Sequence, residues 1–358
     1  MAYISFQPKD HYNTKLYTGN ASTNAITGVG FAPAFSWFKS RSNTNSHAIF
    51  DTLRTTNSIS PSNNAAEYNA SGDGFTSLDS DGYTFNGSGG GGGTNANGFT
   101  YVSWNWKGGS TTIPSGSTAT VQSYSINPTA GIGVYKYTGA YPAGKIIKHG
   151  LGRTPQFLMV KNIGQATTDW ACYHSRVDGD LTQAGDYFIR LNTTAPPSDN
   201  SGYFHDTVTT STDITLASDS PVGGDGKTCV MYAFANVDGF SRFGKYFGNV
   251  QVNGGYVHLG FTPAFLMIKS TGTRGWVMHD NKRPMAAQGF FNPNQNFLQA
   301  NDTGVESNNV NLAVDFLSNG FKIRTTAGDI NGDGDAILYM AFAEHPVISS
   351  NGKSATAR

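Results

Sequence analysis

The sequence predicts an all-β protein made of three tandem antiparallel β-sandwich domains, jelly-roll or concanavalin-like in topology. One apolar phrase begins at a proline and ends at a lysine six residues later, and it starts at Pro33, Pro155 and Pro263. Turn and strand formers dominate the composition: 44 of 358 residues are glycine, and only 13% are charged. No segment shows a sustained 3.6-residue apolar period with helix caps, so we expect few helices.

The three copies of the phrase are widely spaced. Pro155 follows Pro33 by 122 residues, and Pro263 follows Pro155 by 108. Periods of this length are too long for a solenoid repeat, so each copy is predicted to be a small domain. Proline at the start of a strand is tolerated because the ladder needs no donor there.

Further segments recur in the same order around each proline strand. A tyrosine-rich strand precedes it at residues 13–19, 134–139 and 243–248. A second apolar strand follows it at residues 47–54, 170–176 and 276–283. A turn and strand come next at residues 80–85 and 318–323, and this signal is weaker in copy two. An apolar strand closes each copy at residues 101–107, 229–235 and 337–343. Four matched segments in one order indicate a repeated domain.

These segments predict the domain boundaries. The three sandwiches should span residues 1–108, 121–238 and 239–348, with a linker at 109–120 and a polar tail at 349–358. The linker is small, polar and uncharged, which is typical of a flexible connection. No spacer separates copies two and three, so we expect them to pack rigidly end to end.

Charge and apolar pattern exclude several classes of partner. The 24 basic and 24 acidic residues balance, so we expect neither nucleic acid nor an anionic membrane as partner. The first residues lack a signal-peptide pattern and no apolar run reaches membrane length, so we expect synthesis in a cytoplasm. Cys172 and Cys229 are then predicted to be buried thiols.

The best local match to a metal motif lies in copy three. Oxygen-bearing side chains alternate there as in the start of a calcium loop, at Asp329, Asn331, Asp333 and Asp335. The twelfth position, where calcium loops carry a bidentate glutamate, is Met340 on a predicted core strand. A hairpin loop is therefore the favoured interpretation, and a calcium site the alternative; no other cofactor is expected.

Patterns for catalysis are weak. Cys172 and His174 lie two residues apart on a predicted strand, with little freedom to converge, and no orienting third group is apparent. The glutamates Glu67, Glu306 and Glu344 do not occupy corresponding positions in the copies, so a glycosidase carboxylate pair is not supported. We expect a protein without enzymatic activity.

Polar and aromatic residues that recur between copies are candidates for binding. Lys39, Lys161 and Lys269 end the proline strands, and Asp51 and Asp280 precede Arg54 and Arg283 by three residues. A ligand site in each domain is one interpretation of this set; a structural ion pair between adjacent strand ends is favoured.

Two groups of aromatic residues receive opposite interpretations. Trp104 and Trp106 share one strand face, which favours the core over a sugar-stacking platform. Tyr12 and Tyr135, near the start of the lead strands, are predicted to be exposed and to serve surface recognition.

Several phrases together resemble a known group of proteins. They are residues 6–8, 17–20, 29–31, 101–107, 340–344 and the terminal 351–358. The chain resembles, over almost its whole length, the repeat-bearing virion structural proteins of tailed bacteriophages that infect marine bacteria and cyanobacteria. The shared residues are strand and turn formers, and the resemblance supplies no catalytic residue.

The resemblance implies a place on the surface of a virion. It favours a tail-fibre or host-adhesion component, with a capsid decoration or head-appendage protein as the alternative. A carbohydrate-binding or glycan-hydrolysing protein is a third interpretation. Expected partners are other virion proteins and a host surface glycan or protein. We also expect a homo-oligomer, in particular a trimer, since phage fibres are often trimeric.

Overall fold

The computed structural model describes residues 6–70, 74–88, 93–139, 142–177, 187–224, 226–283 and 292–345. Antiparallel β-sheets account for nearly all regular structure in these residues. Helix is limited there to short turns at Pro8–Asp10, Ser220–Val222, Val310–Leu312 and Gly328–Asn331. Within the described ranges no helix is long and apolar enough to cross a membrane. The predicted all-β class is confirmed. The tail at 349–358 lies outside the described residues.

The described part of copy one contains nine strands. They are β1 (Tyr12–Thr18), β2 (Thr23–Ile26), β3 (Pro33–Ser40), β4 (Ala48–Asp51), β5 (Asn57–Ser58), β6 (Tyr68–Asn69), β7 (Phe75–Asp79), β8 (Gly82–Asn86) and β9 (Thr100–Lys107). The main sheet has the order β1-β9-β3-β4, and a smaller sheet has the order β2-β8-β7. β5 and β6 form a separate pair.

Ten strands lie in the residues of copy two that the structure describes. They are β10 (Thr120–Asn127), β11 (Ile132–Thr138), β12 (Lys145–Lys148), β13 (Pro155–Asn162), β14 (Ala171–His174), β15 (Tyr187–Arg190), β16 (Ser198–Asp199), β17 (Phe204–Thr209), β18 (Asp213–Leu216) and β19 (Thr228–Ala235). The main sheet runs β10-β11-β19-β13-β14-β15-β16, and the smaller one β12-β18-β17. The turn and strand that gave a weak signal in this copy are thus present as β17 and β18.

Copy three repeats the plan of copy one. Its strands are β20 (Ser241–Phe247), β21 (Tyr256–His258), β22 (Pro263–Ser270), β23 (Trp276–Asp280), β24 (Asn296–Gln299), β25 (Ser307–Asn308), β26 (Val314–Leu317), β27 (Gly320–Ile323) and β28 (Ala336–Ala343). The main sheet runs β20-β28-β22-β23-β24-β25, and the smaller sheet β21-β27-β26.

The register of the proline strand is the same in all three copies. Each proline opens its strand, and a β-bulge separates it from the phenylalanine two residues later. Phe35, Phe157 and Phe265 then face Trp106, Phe234 and Phe342 on the closing strands. This matches the prediction that proline sits where the ladder needs no donor.

The three copies meet in one aromatic core. The rings of Trp106, Phe234 and Phe342 lie 6.2, 5.7 and 5.8 Å apart by pairwise centroid distance. Because these residues occupy the same register position, the main sheets surround an approximate threefold axis. This differs from the end-to-end packing expected for copies two and three. The chain passes between those copies without a spacer, yet both also contact copy one.

Each main sheet is buried on its other face by its smaller sheet. In copy one Phe38, Tyr83 and Tyr101 belong to one apolar cluster that joins the two sheets. In copy three a second cluster joins Leu266, Phe321 and Tyr339 in the same way. All eight residues of β3 and of β22 are buried, so these central strands are covered on both faces.

The predicted linker at 109–120 is packed for part of its length. Ser110 forms a parallel bridge with Ile126, and β10 already begins at Thr120. A Cβ at Gly109 would lie 2.2 Å from the carbonyl oxygen of Ile126, so only glycine fits this close approach. The residues of this segment are small because the segment packs against β10. It is therefore not the flexible spacer that we expected.

Candidate functional site

The repeated aspartates and arginines form buried ion pairs. Arg54 Nε lies 2.8 Å from Asp51 Oδ2, and Arg283 Nε lies 2.6 Å from Asp280 Oδ2. The other carboxylate oxygen accepts backbone N–H groups of the turn that follows each strand. Burial by itself lowers the pKa of the Arg54 guanidinium, but Asp51 more than offsets this, and the pKa is raised. The favoured interpretation as an ion pair is confirmed, although each pair joins a strand end to its own turn.

These pairs also connect the copies in a cycle. Asp51 Oδ2 accepts a hydrogen bond of 2.6 Å from the Tyr232 hydroxyl of copy two. Asp280 Oδ2 accepts one of 2.9 Å from Trp104 Nε1 of copy one. His174 stands in the register position of the aspartates, and its Nε2 donates to the Tyr339 carbonyl of copy three at 3.2 Å. Copy one thus contacts two, two contacts three, and three contacts one.

We call the contact surface between two copies a seam. The lysines at the ends of the proline strands are buried beside these seams. Lys269 Nζ donates to the carbonyl oxygens of Ser270, Arg274 and Gly272 at 2.8, 2.9 and 3.1 Å, and to that of Thr194 in copy two at 3.4 Å. Lys161 Nζ donates to Thr168 and, across the seam, to Asn64 of copy one. Burial lowers the pKa of Lys39, Lys161 and Lys269 to about 8 each.

The lysines therefore do not join the ion pairs. In the described parts of the chain, the salt bridges recorded at the seams involve Arg41, Arg54 and Arg283, and none involves Lys39, Lys161 or Lys269. Backbone carbonyls satisfy the ammonium groups because the turn after each proline strand curls around its lysine. Our inclusion of these lysines in a strand-end ion pair was wrong.

Two glutamates occupy corresponding positions, contrary to the sequence analysis. Glu67 precedes β6 and lies 3.6 Å from Arg54, while Glu306 precedes β25 and lies 3.0 Å from Arg283. Glu306 also pairs with Arg41 of copy one at 2.8 Å. The loops before the two glutamates differ in length and hid the match. The shared Glu-x-Asn at the start of each short strand is the signal that could have revealed it.

Cys172 and His174 do not form a reactive pair. Both side chains are buried, and burial raises the pKa of the Cys172 thiol. His174 Nδ1 accepts from the Arg176 N–H at 3.1 Å while Nε2 donates across the seam, so both ring nitrogens are occupied. Burial lowers the pKa of His174 to about 4, which keeps the ring neutral at pH 7. The second thiol, Cys229, is also free and buried.

The calcium-like segment is folded around Asn331. Its side-chain oxygen accepts the Asn249 N–H at 2.9 Å, and its nitrogen donates to the carbonyls of Gln251 and Thr325. Asp335 Oδ2 accepts from Ser270 Oγ at 3.1 Å. Asp329 lies in the helical turn and Asp333 is exposed. Asn331 is thus used inside the protein. Within the ranges the structure covers, no group of three His, Cys, Asp or Glu side chains is placed to hold a metal.

Copy one uses the same device at Asn95. Its side-chain oxygen accepts the Asn20 N–H at 3.2 Å, and its nitrogen donates to the carbonyls of Ser22 and Gly87. The two intervals have little similarity in sequence, because one is glycine-rich and the other aspartate-rich. The correspondence of Asn95 with Asn331, which was singled out only as a candidate calcium ligand, was therefore missed; the signal that could have revealed it is their common place just before the closing strand.

Tyr12 and Tyr135 are buried, so the prediction that they serve as exposed recognition residues was wrong. Tyr12 stacks on Phe342 of copy three at 5.6 Å, and the Tyr135 hydroxyl donates to the His149 carbonyl. Each of these two lead-strand positions is thus covered by packing or hydrogen bonding inside the protein. The exposed aromatic residues of the described chain are instead Tyr68, Phe247 and Tyr256.

Other lead-strand tyrosines act as fixed structural contacts. The hydroxyls of Tyr17, Tyr137 and Tyr246 donate to the carbonyls of Thr94, Val222 and Ile330, each at 2.7 Å. Every acceptor lies in the segment before the closing strand. The tyrosine-rich lead strand was visible in the sequence, but its acceptors were not.

An open cavity lies at the surface of copy one. Its volume is about 240 Å³, and it is lined by Asp51, Thr52, Thr55, Thr76, Ser77 and Leu78. The Asp51 carboxylate is already engaged by Arg54 and Tyr232. The cavity therefore offers hydroxyls and backbone groups, which suit an uncharged polar ligand.

Comparison of the chain with known proteins gives a family match but no described activity. The family described as Domain of unknown function (DUF7483) matches residues 7–346. No curated protein matches the chain, and no solved structure does.

Proposed function

The chain belongs to the DUF7483 family, and from that premise we propose that it is a non-enzymatic structural protein of the virion surface of a tailed bacteriophage. A tail-fibre or host-adhesion component is the role we favour. The resemblance of its repeated phrases to phage structural proteins supports this role. So does the way its conspicuous polar residues are used.

The observation that carries the proposal is the cycle of contacts between the copies. Asp51, His174 and Asp280 would be the natural candidates for chemistry, since they are ionisable, buried and repeated. Each instead bonds the closing strand of the next copy. An arrangement in which these groups bond three units to one another suits a rigid scaffold.

We further propose that each copy is a β-sandwich domain, with limits at residues 1–108, 121–238 and 239–348. The apolar clusters that join the main sheet to the smaller sheet in copies one and three support this assignment. The outer loops would then present side chains to a host glycan or protein, in the way that recognition loops do elsewhere.

Binding to host cells tests the adhesion role. Labelled, folded protein should bind susceptible cells saturably, and unlabelled protein should compete with it. The matched control is a resistant host strain, to which binding should be absent. Protein that keeps its circular dichroism spectrum and thermal transition but binds neither strain would contradict an adhesion role.

A capsid decoration protein is the second candidate, favoured by the approximate threefold arrangement of the copies. That arrangement suits a threefold position on a particle. It is supplied within one chain, so the proposal does not require the trimer expected from the resemblance. Gold-labelled antibody that marks heads rather than tails would select this candidate. Oligosaccharide release from host polysaccharide would instead indicate a glycan hydrolase.

A further inference from the structure

Copy three fills with its own chain a groove that copy one leaves open. The relevant loop lies between the second apolar strand and the next short strand. In copy one it joins Asp51 to Asn57 through five residues, and in copy three it joins Asp280 to Asn296 through fifteen. Asn57 and Asn296 correspond, because each begins a short strand and pairs with Asn69 and Asn308 respectively.

The last part of the longer loop adds to the edge of β26. The N–H and the carbonyl of Asn294 bond the carbonyl and the N–H of Val314, at 2.7 and 3.0 Å. The Asn292 side-chain amide bonds the N–H and the carbonyl of Phe316, both at 2.8 Å. Asn294 Nδ2 also donates to the Asp280 carbonyl at 2.9 Å. A short, uncharged, asparagine-bearing segment thus satisfies this strand edge.

Strand β7 of copy one is the counterpart of β26. Leu78 pairs with Tyr83 and Phe316 with Phe321, in each case one pair before the glycine that ends the hairpin. This register makes Phe75 and Leu78 the counterparts of Val314 and Phe316, and Thr76 is the extra residue of a β-bulge between them. Among the described residues, the backbone groups of Thr76 and Leu78 have no recorded hydrogen bond outside the ladder with β8.

The cavity of about 240 Å³ lies along this edge. Thr76, Ser77 and Leu78 form one wall, and the turn from Asp51 to Thr55 forms the other. Thr55 has a φ of 54°, an uncommon value for a β-branched residue, and its N–H donates to the Asp51 carbonyl at 3.0 Å. The short loop thus turns back early and leaves the strand edge uncovered.

We propose that this groove of copy one binds a short extended segment of a different polypeptide chain, uncharged and carrying an asparagine side chain. The segment would add to β7 by backbone hydrogen bonds, as peptides do at open sheet edges. Its asparagine amide would bond Leu78 as Asn292 bonds Phe316. The proposal goes beyond the adhesion role and does not depend on it.

A peptide with the sequence of residues 290–296, labelled with a fluorophore, is the probe. Fluorescence anisotropy should show saturable binding to the full-length chain. The test variant is Leu78→Pro, which removes the N–H that corresponds to that of Phe316, on an edge strand where proline is tolerated. It should weaken binding about tenfold, the equivalent of one lost hydrogen bond. The matched control Leu78→Val keeps the backbone donor and should bind within about twofold of the unchanged protein.

Hydrogen exchange on the unchanged protein keeps the test independent of how Leu78→Pro folds. Peptide binding should slow exchange in β7 and leave β26 unaltered. Absence of saturable binding would overturn the proposal, as would protection confined to β26. Concentration-dependent dimerisation that Leu78→Pro abolishes would also overturn it, because the occupant would then be a second copy of this chain.

Discussion

Val250 shows how a single backbone conformation is repeated between copies. It has a φ of 53°, and its N–H donates to the Asn331 carbonyl; Ala21 in copy one has the same φ and donates to Asn95. Left-handed conformations cost a β-branched residue roughly 1–2 kcal/mol, whereas asparagine adopts them readily. The buried asparagine that shapes each loop thus imposes strain on the residue opposite it.

Replacing Val250 by asparagine should therefore stabilise the protein. We expect Val250→Asn to raise the free energy of unfolding by about 1 kcal/mol, measured by urea denaturation. Val252→Asn is the matched control, since Val252 is also exposed but is not in the left-handed region. Equal effects of the two substitutions would show that polarity, and not backbone strain, is responsible.

Residue environments were predictable where one strand face decides them. Trp104 and Trp106 were assigned to the core from their shared face, and both are buried. Tyr12 and Tyr135 were misassigned because the lead strands were expected to expose them. Tyr12 packs on copy three and Tyr135 bonds the His149 carbonyl of its own copy, and contacts between residues far apart in the chain leave no local pattern in the sequence.

At the scale of elements, the proline strands were predictable almost to the residue. Each begins at its proline and ends one residue beyond its lysine. Proline fixes the start, and the apolar run fixes the length. Segments between strands were less predictable. The fifteen-residue loop of copy three and the five-residue loop of copy one have no similarity, although they lead to equivalent short strands.

The tyrosine contacts hold the lead strand to the loop before the closing strand. Tyr246→Phe should lower the free energy of unfolding by about 1 kcal/mol, because the Ile330 carbonyl loses its donor. Faster hydrogen exchange in Gly328–Asn331 should accompany the loss. Tyr256→Phe is the control: its hydroxyl bonds Asn319 at an exposed site, where water can replace it. A loss as large for Tyr256→Phe would contradict the assignment.

At the scale of the whole molecule, the cycle of seams could not be read from the sequence. Asp51 contacts Tyr232 and Trp104 contacts Asp280, residues about 180 positions apart in each case. The repeat itself was visible, but not that three copies close around a shared core. Copy two departs most from the plan: histidine replaces the aspartate, and Pro197 stands where Glu67 and Glu306 stand elsewhere.

The histidine at the seam between copies two and three should make stability depend on pH. Burial lowers the pKa of His174 to about 4 from 6.5, so the unfolded chain binds a proton in this range that the folded chain excludes. Its contribution is present above pH 6.5 and is lost as the pH falls to about 4, on the order of 3 kcal/mol in total.

The measurement is the free energy of unfolding between pH 7 and pH 4. His174→Gln should reduce the slope of this free energy against pH by the equivalent of about one proton. The other buried histidines should account for the slope that remains. His258→Gln, at an exposed position, is the control and should leave the slope unchanged. An unaltered slope in His174→Gln would show that this ring is not excluded from protonation in the folded state.

The junction of Trp106, Phe234 and Phe342 has a consequence for how the protein can vary. In a ring of three identical subunits, every substitution appears three times. A groove that forms or disappears therefore does so in all three subunits. Here one gene encodes all three positions separately. One unit can keep an uncovered strand edge while another seals its own, and the hub that unites them is unaffected. Covalent joining thus frees a near-symmetric body to be different on each side.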